Sequence, residues 1–173
     1  MRASCLVAFV AFVVLAAVAC GAPAPARPAL VAADAATPLP PLSLRLLSGE
    51  PWSPAASAGR VLVLDVWATY CEPCRDSFPK LDRLATTYPD VDVVAISVDE
   101  EDAVVHRFLA EVPARFTIAR DPEMTVREPP LGITRLPTVL VVDRRGRVRF
   151  RAEELPEERY DALPALVEEL RAE

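Results

Sequence analysis

The sequence predicts an α/β protein with a mixed central sheet that carries helices on both faces. Three Val-rich runs, at residues 60–68, 91–98 and 138–142, are almost continuously apolar, which is typical of strands buried on both faces of a sheet. Residues 74–88 and 102–112 instead carry apolar side chains at helical spacing. Strands that alternate with amphipathic helices predict a layered α/β architecture.

The N-terminus has the pattern of a secretory signal peptide. Arg2 precedes an apolar run at residues 6–18, which is shorter than the roughly 20 residues that span a bilayer. Ala17 and Ala19 supply the small side chains that favour cleavage by a signal peptidase. We therefore assign residues 1–19 to a signal peptide.

Cleavage at this bond would leave Cys20 as the first residue of the mature chain. Residues 17–20 resemble the lipobox of bacterial lipoproteins, so we expect Cys20 to carry a lipid that holds the protein on a membrane. A soluble exported protein with a free terminal cysteine and an uncleaved apolar anchor stay open as alternatives. We expect an exported bacterial protein on the periplasmic side of its membrane.

The composition changes after Cys20. Residues 20–41 are rich in Ala and Pro and lack hydrophobic periodicity, which predicts an extended tether. Residues 42–173 suit a single domain with one core, in which residues 41–47 and 50–53 suggest short leading strands. The formal charge of −6 argues against a nucleic-acid-binding surface.

The junction between the strand at 60–68 and the helix at 74–88 holds two cysteines. Pro73 falls in the first helical turn, where its missing N–H would have no partner. The N-terminus of a helix favours the thiolate form of Cys71. Cys74, three residues further on, is expected to be the more buried of the two.

Counting cysteines and histidines narrows the role of this pair. Cys5 lies in the signal peptide and Cys20 at the start of the tether, so the domain keeps only Cys71 and Cys74. With His106 as the single histidine, the four Cys or His ligands of a zinc site cannot be assembled in one molecule. A bridge across two residues removes little chain entropy. The pair therefore indicates a dithiol and a disulfide that interconvert, and we expect His106 on an exposed helix face.

The remaining segments complete the predicted sheet. A helix at residues 102–112, which Asp99 could cap, is followed by a strand at residues 115–119. A turn at residues 144–146 joins the last two strands as a hairpin. Residues 156–173 predict a closing helix.

Two segments carry a resemblance to a known family. Residues 67–79, WATYCEPCRDSFP, resemble the active-site segment of the thioredoxin superfamily and are most similar to the membrane-tethered TlpA and ResA type. Residues 131–150 resemble that family's cis-proline strand and the hairpin after it. The resemblance implies a thioredoxin fold, with the helix and strand at residues 102–119 as the insertion of the TlpA and ResA type.

The resemblance also implies a role for each matching residue. Cys71 would attack a substrate disulfide, and Cys74 would close the Cys71–Cys74 bridge and release the product. Pro137 would be cis and would place the backbone of Leu136 beside the cysteines, where a substrate segment can pair with it.

Four further residues surround the cysteines in the sequence. Asp65 interrupts a buried strand, so we expect its pKa to rise and its carboxylate to take the proton of Cys74. Glu72 opposes thiolate formation at Cys71 and thereby favours a reducing couple. Trp67 and Tyr70, together with Pro73, are expected to form the substrate-binding surface.

The function implied is an extracytoplasmic thiol-disulfide oxidoreductase that reduces protein disulfides, with apocytochrome c as the family's usual client. Its electrons would come from a membrane thiol transporter, and its one redox group would be the Cys71–Cys74 disulfide, with no metal and no other cofactor. Three alternatives stay open: a copper-binding chaperone for cytochrome oxidase assembly, a thiol oxidant or isomerase, and a peroxidase of the peroxiredoxin kind.

Overall fold

The computed structural model of this protein describes residues 28–173. The predicted signal peptide at residues 1–19 and the predicted lipid site at Cys20 lie outside the described residues. Within residues 28–173, no helix combines the length and the apolar character needed to cross a membrane.

One mixed sheet of eight strands forms the centre of the fold. Its spatial order is β1-β8-β7-β4-β5-β6-β2-β3, in which β4, β5 and β6 are parallel to one another and all other pairs are antiparallel. The strands are β1 (Thr37–Pro38), β2 (Leu44–Leu46), β3 (Pro51–Trp52), β4 (Val61–Trp67), β5 (Val91–Ser97), β6 (Thr117–Arg120), β7 (Thr138–Val142) and β8 (Arg147–Glu153).

Within residues 28–173, three α-helices and three short 3₁₀ helices accompany these strands, and the last helix of each kind follows β8. The α-helices are α1 (Glu72–Thr87), α2 (Asp102–Glu111) and α3 (Leu163–Arg171), and the 3₁₀ helices are Pro54–Ser57, Thr125–Arg127 and Glu157–Ala162. The α/β class with a mixed sheet, predicted from the sequence, is confirmed. The predicted insertion corresponds to α2 and β6. Strand β6 pairs with β5 in parallel.

Strand β4 lies at the centre of the sheet and is buried along its whole length. Its side chains alternate between the two faces, so Asp65 and Trp67 point to the same one. The Trp67 ring lies 4.5 Å from the ring of Phe78 on α1 and 4.7 Å from that of Phe108 on α2. The face that carries Asp65 is therefore the face that α1 covers.

The structure places the last part of the predicted tether, residues 20–41, in the sheet. Thr37 pairs with Val148 of β8, and the Val31 N–H donates a hydrogen bond to the Arg149 carbonyl at 2.6 Å. The side chains of Leu30 and Leu39 pack against the core. The packed domain thus begins before residue 42, because backbone pairing to an edge strand needs no hydrophobic alternation in the sequence.

Candidate active site

Cys71 and Cys74 form a disulfide at the N-terminus of α1. Cys71 is the N-cap residue of this helix and is 8% exposed, whereas Cys74 is fully buried in its first turn. The strand-to-helix junction places both cysteines at the edge of the sheet where β4 ends. Only Cys71 therefore lies near enough to the surface to meet a substrate.

A small surface surrounds Cys71. Tyr70 is 70% exposed, and Glu72 and Pro73 are exposed as well. On the facing loop, the peptide bond between Leu136 and Pro137 is cis, as predicted. Because Thr138 pairs with Val66 near the end of β4, this loop lies at the same sheet edge as the cysteines.

The structure corrects the predicted role of Trp67. Its side chain has no exposed surface, since it packs between α1 and α2 against Phe78 and Phe108. It therefore supports the active-site segment from below and does not contact a substrate. A strand buried on both faces offers no sequence signal that separates an inward aromatic residue from one at the rim.

Asp65 is buried beneath α1. Burial raises the pKa of its carboxyl group to about 7, and a hydrogen bond from Tyr160 partly opposes the rise. The Tyr160 hydroxyl donates to Asp65 Oδ1 at 2.7 Å. Among the described residues, Asp65 Oδ2 has no hydrogen-bond partner. A carboxyl group with this pKa exchanges protons near neutral pH, which is the property that the sequence predicted.

The loop that leads to Cys71 is fixed by a residue whose role the sequence did not indicate. Asp99 accepts hydrogen bonds from the Thr69 N–H at 3.0 Å and from the Thr69 hydroxyl at 2.7 Å. It also accepts one from the Ser97 hydroxyl at 2.8 Å. The N-cap residue of α2 is Glu101, so the expected cap at Asp99 is wrong. The Asp99 carboxylate instead holds Thr69, two residues before Cys71.

A buried arginine of the insertion holds the backbone of the segment that carries Asp99. Arg120 on β6 donates to the Asp99 carbonyl at 2.9 Å and to the Ser97 hydroxyl at 2.5 Å. Its guanidinium also pairs with Asp102 at 2.7 Å. Hydrogen bonds from Arg45 and Arg120 lower the pKa of Asp102 to about 2. Arg120 thus joins β6 to α2 by a charge pair and, by hydrogen bonds, to the Ser97–Asp99 segment that holds the active-site loop.

Replacing Asp99 by Ala is expected to disturb both stability and exchange. Three donors lose their acceptor in a buried place, so the free energy of unfolding should fall by about 1–3 kcal/mol. The loop before Cys71 also loses its anchor, so we expect the rate of disulfide exchange to fall by about tenfold. Denaturant unfolding and a stopped-flow exchange assay measure the two effects.

Asp121 offers a matched control for this variant. Its carboxylate also accepts from a threonine, through the Thr125 N–H at 2.9 Å and the Thr125 hydroxyl at 2.8 Å, but it lies at the 3₁₀ helix after β6. Asp121→Ala should lower stability similarly and leave exchange unchanged. Equal losses of exchange in both variants would mean that the Asp99 effect is only a loss of stability.

The described residues contain no group of three or more His, Cys, Asp or Glu side chains arranged to hold a metal ion. His106 is exposed on α2, as predicted for a surface residue of that helix. Cys71 and Cys74 are joined to each other at the start of α1. No observation in residues 28–173 favours the copper-chaperone alternative.

The sequence profile of the Redoxin family matches residues 34–166. The chain belongs to the Redoxin family. The matched range includes both cysteines, Asp65, the cis-proline loop and the inserted elements. Together with the fold, it confirms the resemblance to the thioredoxin superfamily and to its TlpA and ResA type.

Two relatives illustrate the match of this Redoxin to known proteins. The thiol-disulfide oxidoreductase ResA of Bacillus thuringiensis subsp. konkukian is 29% identical over 92 residues, which are 52% of this chain and 53% of the relative. The thioredoxin-like protein YneN of Bacillus subtilis is 30% identical over 114 residues, 64% of this chain and 66% of the relative. The chain spans about half the length of the ResA relative.

A solved structure extends the comparison over more of the chain. A crystal structure assigned as the thiol:disulfide interchange protein DsbE of Chlorobium tepidum superposes with a TM-score of 0.73 at 30% identity. The match covers 78% of this Redoxin and 96% of that protein. The thioredoxin fold is therefore common to both chains.

Proposed function

We propose that this Redoxin is an extracytoplasmic thiol-disulfide oxidoreductase that reduces protein disulfides. The observation that carries the proposal is the Cys71–Cys74 disulfide at the start of α1, with one sulfur near the surface and the other buried. This asymmetry suits a pair in which one cysteine meets the substrate and the other resolves the intermediate. The disulfide itself is the redox group, and no other cofactor is needed.

The proposed reaction passes two electrons from the dithiol to the substrate. The Cys71 thiolate attacks one sulfur of the substrate disulfide, which forms a mixed disulfide and releases a substrate thiolate that takes up a proton. Asp65 then accepts the proton of Cys74. The resulting Cys74 thiolate attacks Cys71 Sγ, so the mixed disulfide breaks and the Cys71–Cys74 bond forms. The second substrate sulfur leaves as a thiolate and is protonated.

The loop opposite the cysteines supplies a place for the substrate backbone. Within residues 28–173, the N–H and C=O groups of Leu136 have no hydrogen-bond partner. An extended substrate segment could pair with them while its cysteine meets Cys71, as in other strand-addition contacts. Tyr70 and Pro73 would then contact the side chains that flank the substrate cysteine.

The charge beside Cys71 supports the reducing direction. Glu72 lies between the two cysteines and is exposed, so its carboxylate disfavours the Cys71 thiolate and with it the reduced state. A reductant outside the cytoplasm needs electrons delivered across a membrane, for which we propose a membrane thiol transporter. The predicted signal peptide and lipid site at Cys20 support that location, and apocytochrome c is the proposed client.

The reduction potential of the Cys71–Cys74 couple tests this direction. The full-length protein is equilibrated in dithiothreitol and glutathione buffers, and its thiols are trapped by alkylation. We expect a value near or below about −250 mV, in the range of thioredoxin. A value near about −120 mV would overturn the proposed direction and indicate an oxidant or isomerase.

A pair of variants tests the contribution of the Glu72 charge. Glu72→Gln is expected to raise the potential, because the Cys71 thiolate is no longer opposed by a neighbouring negative charge. Asp76→Asn is the matched control, since Asp76 is exposed one turn further along the same helix. Equal reduction potentials in the Glu72 variant and the wild type would show that the Glu72 charge does not favour the reducing direction.

A further inference from the structure

A tyrosine from the C-terminal segment reaches the buried carboxylate beneath the active site. Tyr160 lies in the 3₁₀ helix Glu157–Ala162 and is buried. Its hydroxyl donates a hydrogen bond to Asp65 Oδ1 at 2.7 Å, across 95 positions of sequence. The hydrogen bond fixes one oxygen of the carboxylate and leaves Oδ2 as the oxygen that can accept a proton.

Ser77 holds the backbone of the buried cysteine on the same helix. It is fully buried, and its hydroxyl donates to the Cys74 carbonyl at 2.9 Å. The first turn of α1, which carries Cys74, is therefore fixed by a buried side chain, as Asp65 is fixed by Tyr160.

Other charged groups near this site are engaged elsewhere. The neighbours of Asp65 in the sheet are Ala95 on β5 and Val139 on β7, which carry no charge. On α1 the buried Cys74 titrates only in the reduced protein, since it is disulfide-bonded here, and the 3₁₀ helix contributes Tyr160. Among the remaining charges on the packed elements, Lys80 pairs with Glu157 and Asp161, and Glu168 of α3 accepts from Tyr88. Several others are exposed at the surface: Asp76, Arg83, Glu158, Arg159 and Glu169. Tyr160 is thus the polar group that acts directly on Asp65.

We propose that Tyr160 is a positioning residue that orients Asp65 for the proton of Cys74 and sets the pH at which this transfer occurs. The proposal rests on the proposed function. A phenol that donates to a carboxylate stabilises its charged form, so it lowers the pH at which the carboxylate becomes a base. It also keeps Oδ1 occupied, so that the Cys74 proton moves to Oδ2. The phenol retains its own proton throughout, because burial and the Asp65 charge raise its pKa.

The test replaces Tyr160 by Phe in the full-length protein and measures two pH profiles. One is the rate at which Cys74 resolves a preformed mixed disulfide on Cys71, and the other is the ¹³C carboxyl signal of labelled Asp65. We expect both midpoints to move to higher pH by about one unit, and the resolution rate at pH 7 to fall by about fivefold. In an Asp65→Asn background, Tyr160→Phe should leave the resolution profile unmoved.

Tyr88→Phe is the matched control. Tyr88 also donates its hydroxyl to a carboxylate, Glu168 Oε1, at 2.7 Å, but it lies at the far end of α1. Its loss should change stability without moving either midpoint. Denaturant unfolding of both variants separates a loss of stability from a shift of the profiles.

The two readouts separate failure of this inference from failure of the proposed function. An Asp65 carboxyl signal that titrates at the same pH in the Tyr160→Phe variant would overturn the role of Tyr160, whatever the exchange rates are. Wild-type protein that reduces no disulfide would overturn the proposed function, while the carboxyl titration would still decide whether Tyr160 controls Asp65. An unmoved resolution profile beside a moved carboxyl titration would overturn the step in which Asp65 serves Cys74.

Discussion

Replacing Cys71 by Ser is expected to lower the rate of protein-disulfide reduction by more than about a thousandfold. A hydroxyl cannot form the mixed disulfide, and the remaining Cys74 is fully buried at the base of the site. Steady-state reduction of a protein disulfide, with dithiothreitol as the source of electrons, measures the loss against the uncatalysed rate.

Replacing Cys74 by Ser is expected to stop the reaction one step later. The Cys71 sulfur still attacks the substrate, but no second thiolate resolves the product, so a mixed disulfide accumulates. Intact-mass measurement without reductant should show one substrate chain bound to each protein molecule. Repeated turnover by the Cys74 variant at the wild-type rate would exclude the proposed two-cysteine reaction.

Cys20→Ser supplies the control for both variants, since it makes the same chemical change at a cysteine of the predicted tether. Its exchange rate in solution should equal that of the wild type. The same variant tests the predicted anchor, because a lipid-bearing Cys20 would place the wild type in the membrane fraction and its Ser variant in the soluble fraction. If the wild type and the Cys20→Ser variant distribute equally between the membrane and soluble fractions, the predicted lipid on Cys20 is contradicted.

The strands at the centre of the sheet could be predicted because each one is a continuous run of apolar residues, which indicates burial without reference to other segments. The apolar run at residues 60–68 predicts a strand, and β4 runs from Val61 to Trp67; the run at residues 138–142 matches β7. Both strands are buried on both faces, so an unbroken apolar run is itself the signal. The position of the cysteines could be predicted for the same reason. They lie in the turn between β4, which is a continuous apolar run, and α1, whose apolar residues recur at helical spacing.

The supporting contacts could not be predicted, because they join residues that lie far apart in the chain. Asp65 meets Tyr160 and Thr69 meets Asp99 only after β4, β5 and the C-terminal segment have packed together. Periodicity describes one element at a time and does not report which side chains of two elements touch. β1 was missed for a related reason, since its pairing with β8 depends on the backbone of a Pro-rich segment.

Asp65→Asn is expected to raise the free energy of unfolding at neutral and alkaline pH. Burial raises the pKa of Asp65 from 3.8 to about 7, so the folded state holds a proton that the unfolded chain releases between these values. Stability therefore falls as the pH rises through this window, by about 1.4 kcal/mol per pH unit. The total is on the order of 4 kcal/mol by pH 8, and a neutral Asn does not incur it.

The sign and window of this effect distinguish it from an ordinary change in packing. Asn has the shape of the protonated acid and can still accept the hydrogen bond from Tyr160. The two proteins should therefore unfold alike below about pH 4 and diverge as the pH rises. Denaturant unfolding of the disulfide form at several pH values measures the difference.

Asp143→Asn should show the opposite trend. Burial raises the pKa of Asp143, but hydrogen bonds from the backbone and side chain of Arg147 outweigh it and hold the pKa below its usual range. This carboxylate stabilises the fold above its unfolded pKa, and the contribution is lost as the pH falls. Its Asn variant should therefore be less stable than the wild type at pH 7, and the deficit should shrink toward pH 3.

The two halves of the Asp65 prediction constrain each other. Active sites commonly keep a residue that lowers stability because its chemistry is needed, so the stabilised Asp65→Asn protein should also resolve mixed disulfides more slowly. We expect the resolution step to slow by about a hundredfold, the usual contribution of a general base. A variant that is more stable and equally fast would show that Asp65 takes no part in the chemistry. A stability difference that does not change with pH would show that its carboxyl group keeps an ordinary pKa.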